Sequence, residues 1–234
     1  MTRREAETGT YRAIGFLDKL TDDSYEFVYL QSAVQRPSFV PLIGFSDPYR
    51  RYHSRRLFPS FAERVIGAKR PDRPEYLASL HLDETADSWE ILSASGGYRE
   101  GDAIELIGLP TFDELTGRTR ARFLAHGVRY RGQLADERIS ELKPRDTLRL
   151  EREPDNATNP AAIKILAGDV HLGYVPDPLL GYVGAVLDAG MARVTVIQAN
   201  PPETNPHLRL LLALDGVIVG EFPFNSREWL TAAP

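Results

Sequence analysis

The sequence predicts an α+β first half followed by a mainly β second half that closes as a small barrel with one packed helix. Three observations carry this expectation. The chain has 234 residues, enough for one large domain or two ordinary ones, and its 42% hydrophobic and 26% charged content is that of an ordinary globular protein. In the first half, short alternating runs are interspersed with runs of helical spacing. After Leu109–Gly117, which carries Pro110 and the acidic pair Asp113-Glu114, strands recur at regular spacing. The expected units are 11–110, 118–214 and a C-terminal extension, 215–234.

Composition narrows the function classes. There is no Cys, hence no disulfide framework, no thiolate nucleophile and no Cys-based zinc site. The polar opening MTRREAETGT predicts no signal peptide. No stretch approaches the roughly 18 apolar residues of a membrane span, so the cytoplasm is the expected compartment and a membrane is not an expected partner. A net charge of -5 argues against non-specific coating of nucleic acid. The charge is uneven, however. Tyr49–Pro74 holds eight Lys or Arg against Glu63 and Asp72, and Arg118–Arg131 holds five Arg and no acid. Arg outnumbers Lys 24 to 4, which suits bidentate phosphate contacts and equally follows from a GC-rich genome.

In chain order, residues 1–10 are expected to fray. Tyr11–Leu17 and Tyr25–Leu30 read as strands joined by the turn Asp18–Ser24, and Pro37–Tyr52 reads as loop. Residues 49–56, YRRYHSRR, interleave rings and cations as a nucleic-acid surface does, or form a solvated lead into a helix. Leu57–Ile66 has helical spacing, Pro74 opens a second short helix, and Asp87–Ala94 gives a third that ends before Gly96-Gly97. Ala103–Ile107 is a strand.

In the second half, Arg118, Arg120 and Arg122 share one strand face, opposite Thr119, Ala121 and Phe123. That face is either an anion groove or an exposed barrel face paired with carboxylates. Ile139–Leu142 reads as a connector before Pro144. Leu148–Pro176 then gives a strand, a polar turn over Glu153–Asn156, and strands at Ala162–Leu166 and Val170–Val175. The turn is built from residues that bond their own backbone or pre-set φ, and either serves a ligand or simply closes a hairpin. Asp177 and Pro178 open a helix with an apolar face from Leu179 to Leu187, ended by Gly190. Ala192–Ala199, Leu208–Leu214 and Gly216–Phe222 complete five or six strands, as in a partly open barrel of the oligonucleotide-binding kind.

Four motifs in this region resemble the HIRAN domain: Gly127-Val128-Arg129-Tyr130; Leu148 to Asn156 (LRLEREPDN); Ala162-Ile163-Lys164-Ile165; and Gly173-Tyr174-Val175-Pro176. Order and spacing both match, over about residues 118 to 214. The resemblance implies an oligonucleotide-binding-type barrel. It also implies binding of single-stranded DNA at a free 3′ end, as in the better understood members, which are fused to eukaryotic DNA-remodelling helicases; bacterial versions occur without the helicase. By that resemblance Arg129 and Arg152 contact phosphate, Tyr130 and Tyr174 stack bases, and Asn156, Thr158 and Asn159 lie at the strand end. Thr158 and Asn159 stand where DNA-binding members carry an aromatic and an Asp, and Asp177 replaces a Lys. Strict 3′-end recognition therefore does not follow. Residues 11–108 more faintly resemble the N-terminal module of HipA-type kinases, through Gly15-Phe16-Leu17, Tyr25–Tyr29, Leu57–Phe61 and Ser95-Gly96-Gly97. The kinase core does not follow them, so no kinase activity is implied.

Enzyme chemistry finds little purchase. The five His, at 53, 81, 126, 171 and 207, have no metal-ligand spacing. Ser140-x-x-Lys143 lacks its companion motifs, and there is no phosphate-cradling Gly-rich loop. Glu151, Glu153 and Asp155 form a conceivable metal trio or structure the turn. The expected function is non-catalytic binding of single-stranded nucleic acid, DNA favoured, with no cofactor and no metal. Arg118, Arg120 and Arg122 extend the expected surface. The alternative is a protein-interaction module that uses the first half and binds no DNA.

Overall fold

The computed structural model describes residues 1–234. The first half contains strands β1 (Thr2–Arg4), β2 (Tyr11–Ala13), β3 (Gly15–Lys19) and β4 (Tyr25–Tyr29), then α1 (Gln31–Val34), β5 (Tyr52–Ser54), α2 (Pro59–Ala62), α3 (Arg73–Ser79), α4 (Ser88–Ser95) and β6 (Ile104–Glu105). They form two three-stranded antiparallel sheets, β2-β1-β6 and β3-β4-β5. Residues 2–4, expected to fray, are the central strand of the first sheet, where Met1 and Thr2 are buried. The stretch Tyr11–Leu17 splits at Ile14 between the two sheets. The helix expected over 57–66 shortens to the single turn α2.

An aromatic core fills this half. Phe45 packs on Phe27, Tyr52, Phe58 and Phe61 with ring centroids 4.5 to 5.7 Å apart. The basic-aromatic stretch 49–56 is engaged here through Arg51 and Tyr52, while Tyr49, Arg50, Arg55 and Arg56 stay exposed. Tyr52 belongs to that core, and Arg51 bonds Glu26 at 2.6 Å and Pro234 O at 2.7 Å. Asp87 caps α4 by accepting from the Trp89 and Glu90 amides while Glu90 reaches back to the Asp87 amide, which fixes that helix start.

The second half contains β7 (Thr111–Phe112), β8 (Arg118–Leu124), α5 (Gln133–Glu141), β9 (Thr147–Arg152), β10 (Ile163–Ala167), β11 (Val170–Tyr174), α6 (Leu180–Asp188), β12 (Arg193–Ala199) and β13 (Leu210–Val217). These strands form one seven-stranded antiparallel sheet in the order β11-β10-β9-β12-β13-β8-β7, so the structure is mainly β with few helices. The outer edges of β8 and β11 meet. His126 N donates to Tyr174 O at 2.9 Å and Tyr174 N to His126 O at 2.8 Å, which closes β8 to β13 into a barrel and removes its free edges.

Period-2 alternation explains the core. Thr119, Ala121 and Phe123 of β8 point inward with Leu148, Ile163, Ile165, Leu172, Val194, Val196, Leu210, Leu212 and Leu214. Both α5, through Ala135 and Ile139, and α6, through Val183 and Val186, join this core. Thus α5 occupies the segment read as a connector, and two helices pack on the barrel. Residues 216–222 do not add a strand beyond β13. The chain instead returns to the first half, where Thr231 bridges Leu30 and Ala232 N donates to Tyr29 O at 2.8 Å.

The seam constrains position 173. A Cβ there would lie 2.7 Å from His126 O and 3.3 Å from Val128 Cγ2, so only glycine lets β11 approach β8 this closely. Gly173→Ala is expected to cost about 1–3 kcal/mol. Thermal unfolding checks this: Tm should fall by about 2–4 °C per kcal/mol for a chain of this size. An unchanged Tm would contradict the close approach.

Candidate nucleic-acid interface

The seam places two segments side by side. After His126, Gly127 turns in a left-handed conformation (φ 68°), and Val128–Tyr130 makes one helical turn anchored by buried Val128. Arg129 and Tyr130 are therefore pushed outward. Tyr130 is 64% exposed, and the Arg129 guanidinium carbon lies 4.7 Å from its centroid. Arg129 has no carboxylate partner. Arg131 folds the other way, with its guanidinium carbon 5.2 Å from the centroid of Tyr174, the residue on the far side of the seam. His171 meets the same ring edge-on at 4.7 Å. The structure thus brings together Arg129, Tyr130 and, through Arg131, Tyr174.

Behind Tyr174 lies a carboxylate-centred network. Glu153 accepts from Lys164 Nζ at 2.8 Å, Asn156 Nδ2 at 2.6 Å and the Tyr174 hydroxyl at 2.8 Å. These donors, Lys164 first, hold the Glu153 pKa down at about 2. Burial, and then the bond to Glu153, push the Tyr174 hydroxyl pKa up. Glu153 is thus bound by a cation rather than shared with Glu151, which pairs with Arg149, and the conceivable metal trio does not form.

The polar turn is committed to itself. Asn156 Oδ1 accepts from the Thr158 and Asn159 amides at 3.0 Å each, and its Nδ2 also reaches the Tyr174 hydroxyl at 3.3 Å. Asn159 Oδ1 accepts from the Ala161 amide, while its Nδ2 donates to Asp177 Oδ1 at 3.0 Å. The other Asp177 oxygen accepts the Tyr11 amide of β2 at 2.8 Å. Asp177 was expected to cap the following helix; it instead ties the turn to the first half. Asn156 and Asn159 spend their side chains on shaping this corner, and Thr158 joins it through its amide.

The remaining expected residues lie elsewhere. Arg152 sits on the β9 face shared with Leu148 and Leu150, and donates to Gly184 O at 3.0 Å and to Asp188 at 2.9 Å on α6, so it is not gathered with Arg129. Arg118, Arg120 and Arg122 do line the outer face of β8. Arg120 pairs with Asp215 of β13 at 2.6 Å. Arg120 and Arg122 line a groove of about 420 Å³ between the barrel and α4, whose walls include Trp89, Glu90 and Glu105 but none of Arg129, Tyr130 or Tyr174. The Arg-rich strand face and the Arg129 face are separate surfaces.

His126 joins the two halves. Its Nε2 lies 2.9 Å from Glu105, which is 4% exposed, and its ring meets Tyr11 edge-on at 5.4 Å. Burial opposes charge on both partners, yet each favours the charged form of the other: Glu105 stays below its ordinary pKa and His126 above. Sequence reading missed Arg131, His171 and Lys164 as members of this region. The alternation of Arg129-Tyr130-Arg131 and the placement of His171 just before Gly173 were the available signals.

The Glu153 network carries a sign. Its carboxyl pKa falls from 4.5 to about 2 on folding, so its contribution is full above about pH 4.5 and is lost as pH drops toward 2. Glu153→Gln should lower Tm at pH 6, and the gap to the wild type should close progressively through that acid window. A gap that is constant with pH would contradict the charge assignment.

Residues 119–217 match the family model described as the HIRAN domain. The crystal structure of the HIRAN domain of human HLTF is similar over 43% of this chain and 74% of that chain, at 20% sequence identity and a TM-score of 0.30. No curated protein matches the chain. The resemblance of residues 11–108 to a HipA-type module finds no support in these matches. Residues 119–217 are a HIRAN domain, and that domain contains the seam, the turn at 127–131 and Tyr174.

Proposed function

We propose that this chain binds single-stranded nucleic acid, DNA in preference, on the barrel face formed by Arg129, Tyr130, Arg131 and Tyr174. The observation that carries the reading is the exposed Tyr130 ring with the Arg129 guanidinium laid over it, unpaired with any carboxylate. A ring open to solvent offers a base a stacking surface, and an unpaired guanidinium beside it offers a phosphate a bidentate partner. The HIRAN domain supports the class of ligand, because HIRAN domains are known for binding DNA. The proposal assigns the chain no catalytic step.

The reading differs from 3′-end capture. Asn156 and Asn159 have their side-chain polar atoms engaged, and Asp177 is held by Tyr11 and Asn159, so these three side chains are committed to the protein rather than offered to a terminal hydroxyl. The strand would lie across the face and its end would not be read.

Fluorescence anisotropy with labelled single strands, bearing free or blocked 3′ ends, tests this over a salt series. Binding should weaken as salt rises, and blocking the end should leave it unchanged. Tyr130→Ala should cost about 1–3 kcal/mol, and Arg129→Ala should reduce the log–log salt slope by about 0.7. Absence of binding at low salt would contradict the reading.

A further inference from the structure

Arg131 belongs to the proposed face, but its pairing with His171 is not used by the stacking reading. The Arg131 Nη1–H donates to His171 Nδ1 at 3.3 Å, and the opposite ring nitrogen, Nε2, lies 3.0 Å from Gly173 O. That pattern requires the neutral imidazole, with Nε2–H donating and Nδ1 accepting. The Arg131 Nε is shut off from solvent and has no hydrogen-bond partner within the protein. A guanidinium N–H buried without an acceptor is destabilising, because it has given up water and found no partner. No carboxylate pairs with Arg131, so the cation rests on a ring face and on an imidazole, a weak acceptor for it. Both groups are half-buried beside Tyr174, on the same face as Arg129 and Tyr130.

We propose that Arg131 and His171 form a phosphate subsite whose occupation takes up a proton. A phosphate oxygen accepts from the Arg131 guanidinium. His171 Nδ1, released from Arg131, takes one proton from solvent and donates to a second oxygen. No bond other than the N–H is made, and the anion gains two charge-assisted contacts.

The surroundings support this assignment. Burial, then the Arg131 charge, keep the His171 pKa below its ordinary value in the free protein. Lys164 of β10 acts in the same direction, while Glu153 and the Gly173 carbonyl oppose it. The Tyr174 ring is the other titratable neighbour. Although α5 packs beside β11, its charged side chains bond elsewhere: Asp136 to Arg209, Glu137 to Gln133 and Arg138 to Glu141. A bound phosphate reverses the local balance by adding negative charge beside the ring, so the pKa must rise on binding.

The inference deepens the nucleic-acid reading, with the phosphate taken from a strand backbone or from free inorganic phosphate. Anisotropy of a labelled single-stranded oligodeoxynucleotide, measured from pH 5 to 8 at constant salt, is the first arm. Wild-type affinity should rise as pH falls, by up to tenfold per unit. His171→Gln should flatten that dependence, and Arg131→Gln should weaken binding about tenfold at every pH. Wild-type binding with the same pH dependence in His171→Gln would overturn the subsite and leave the nucleic-acid reading intact. NMR titration of the His171 ring with inorganic phosphate is the second arm. If no oligonucleotide binds, the nucleic-acid reading falls, and an upward shift of the His171 pKa with phosphate alone assigns the subsite to the free anion. A pKa that phosphate does not move overturns it.

Discussion

The backbone pair between His126 and Tyr174 is the interaction on which the rest of this structure depends. Each of its two hydrogen bonds contributes about 0.5–1.5 kcal/mol, yet its consequence is geometric. It joins the first and fourth strands of the barrel and removes two open edges. It also sets the turn at Gly127 against Tyr174, which is why Arg131 lies over that ring. The approach is possible only because residue 173 has no side chain. The His126 side chain then reaches Glu105 of the first half, so one residue fastens the barrel to itself and to its neighbour.

The corner at Asn159 and Asp177 ties the polar turn of the barrel to the first half of the chain. Asp177 meets the Tyr11 amide with one oxygen and the Asn159 side chain with the other. The first half thereby takes up one of the two Asp177 oxygens. What remains exposed is the side of the seam with Tyr130 and Arg129.

The strands of the barrel were legible because each buries one face, and a period of two survives whatever the partner strand is. Leu148, Ile163, Val194 and Leu212 all fall where alternation places them. The helix α5 was not legible. Its buried side is only Ala135 and Ile139, and Leu134 is 64% exposed, too sparse for an apolar stripe. The closure itself could not be read, since no local pattern announces that residue 126 pairs with 174. For the candidate site, Arg129, Tyr130 and Tyr174 were named from linked motifs, and the fold brings them to one face. Arg152 came from the same motifs, whereas the Arg118-Arg120-Arg122 face was drawn in by charge and alternation alone. Charge does not say which side of a strand or which neighbouring carboxylate an arginine will find, and Asp188 and Asp215 settled two of them.

The central claim is that nucleic acid meets the protein at the seam face and not along the arginine face of β8. Amide chemical shifts of the labelled chain, followed as a single-stranded oligodeoxynucleotide is added, locate the contact directly. The account predicts that the earliest and largest changes fall on residues 127–131 and 171–175, with Arg118, Arg120 and Arg122 little moved. Changes gathered instead on those three arginines and on the groove beside α4, with the seam unperturbed, would contradict it.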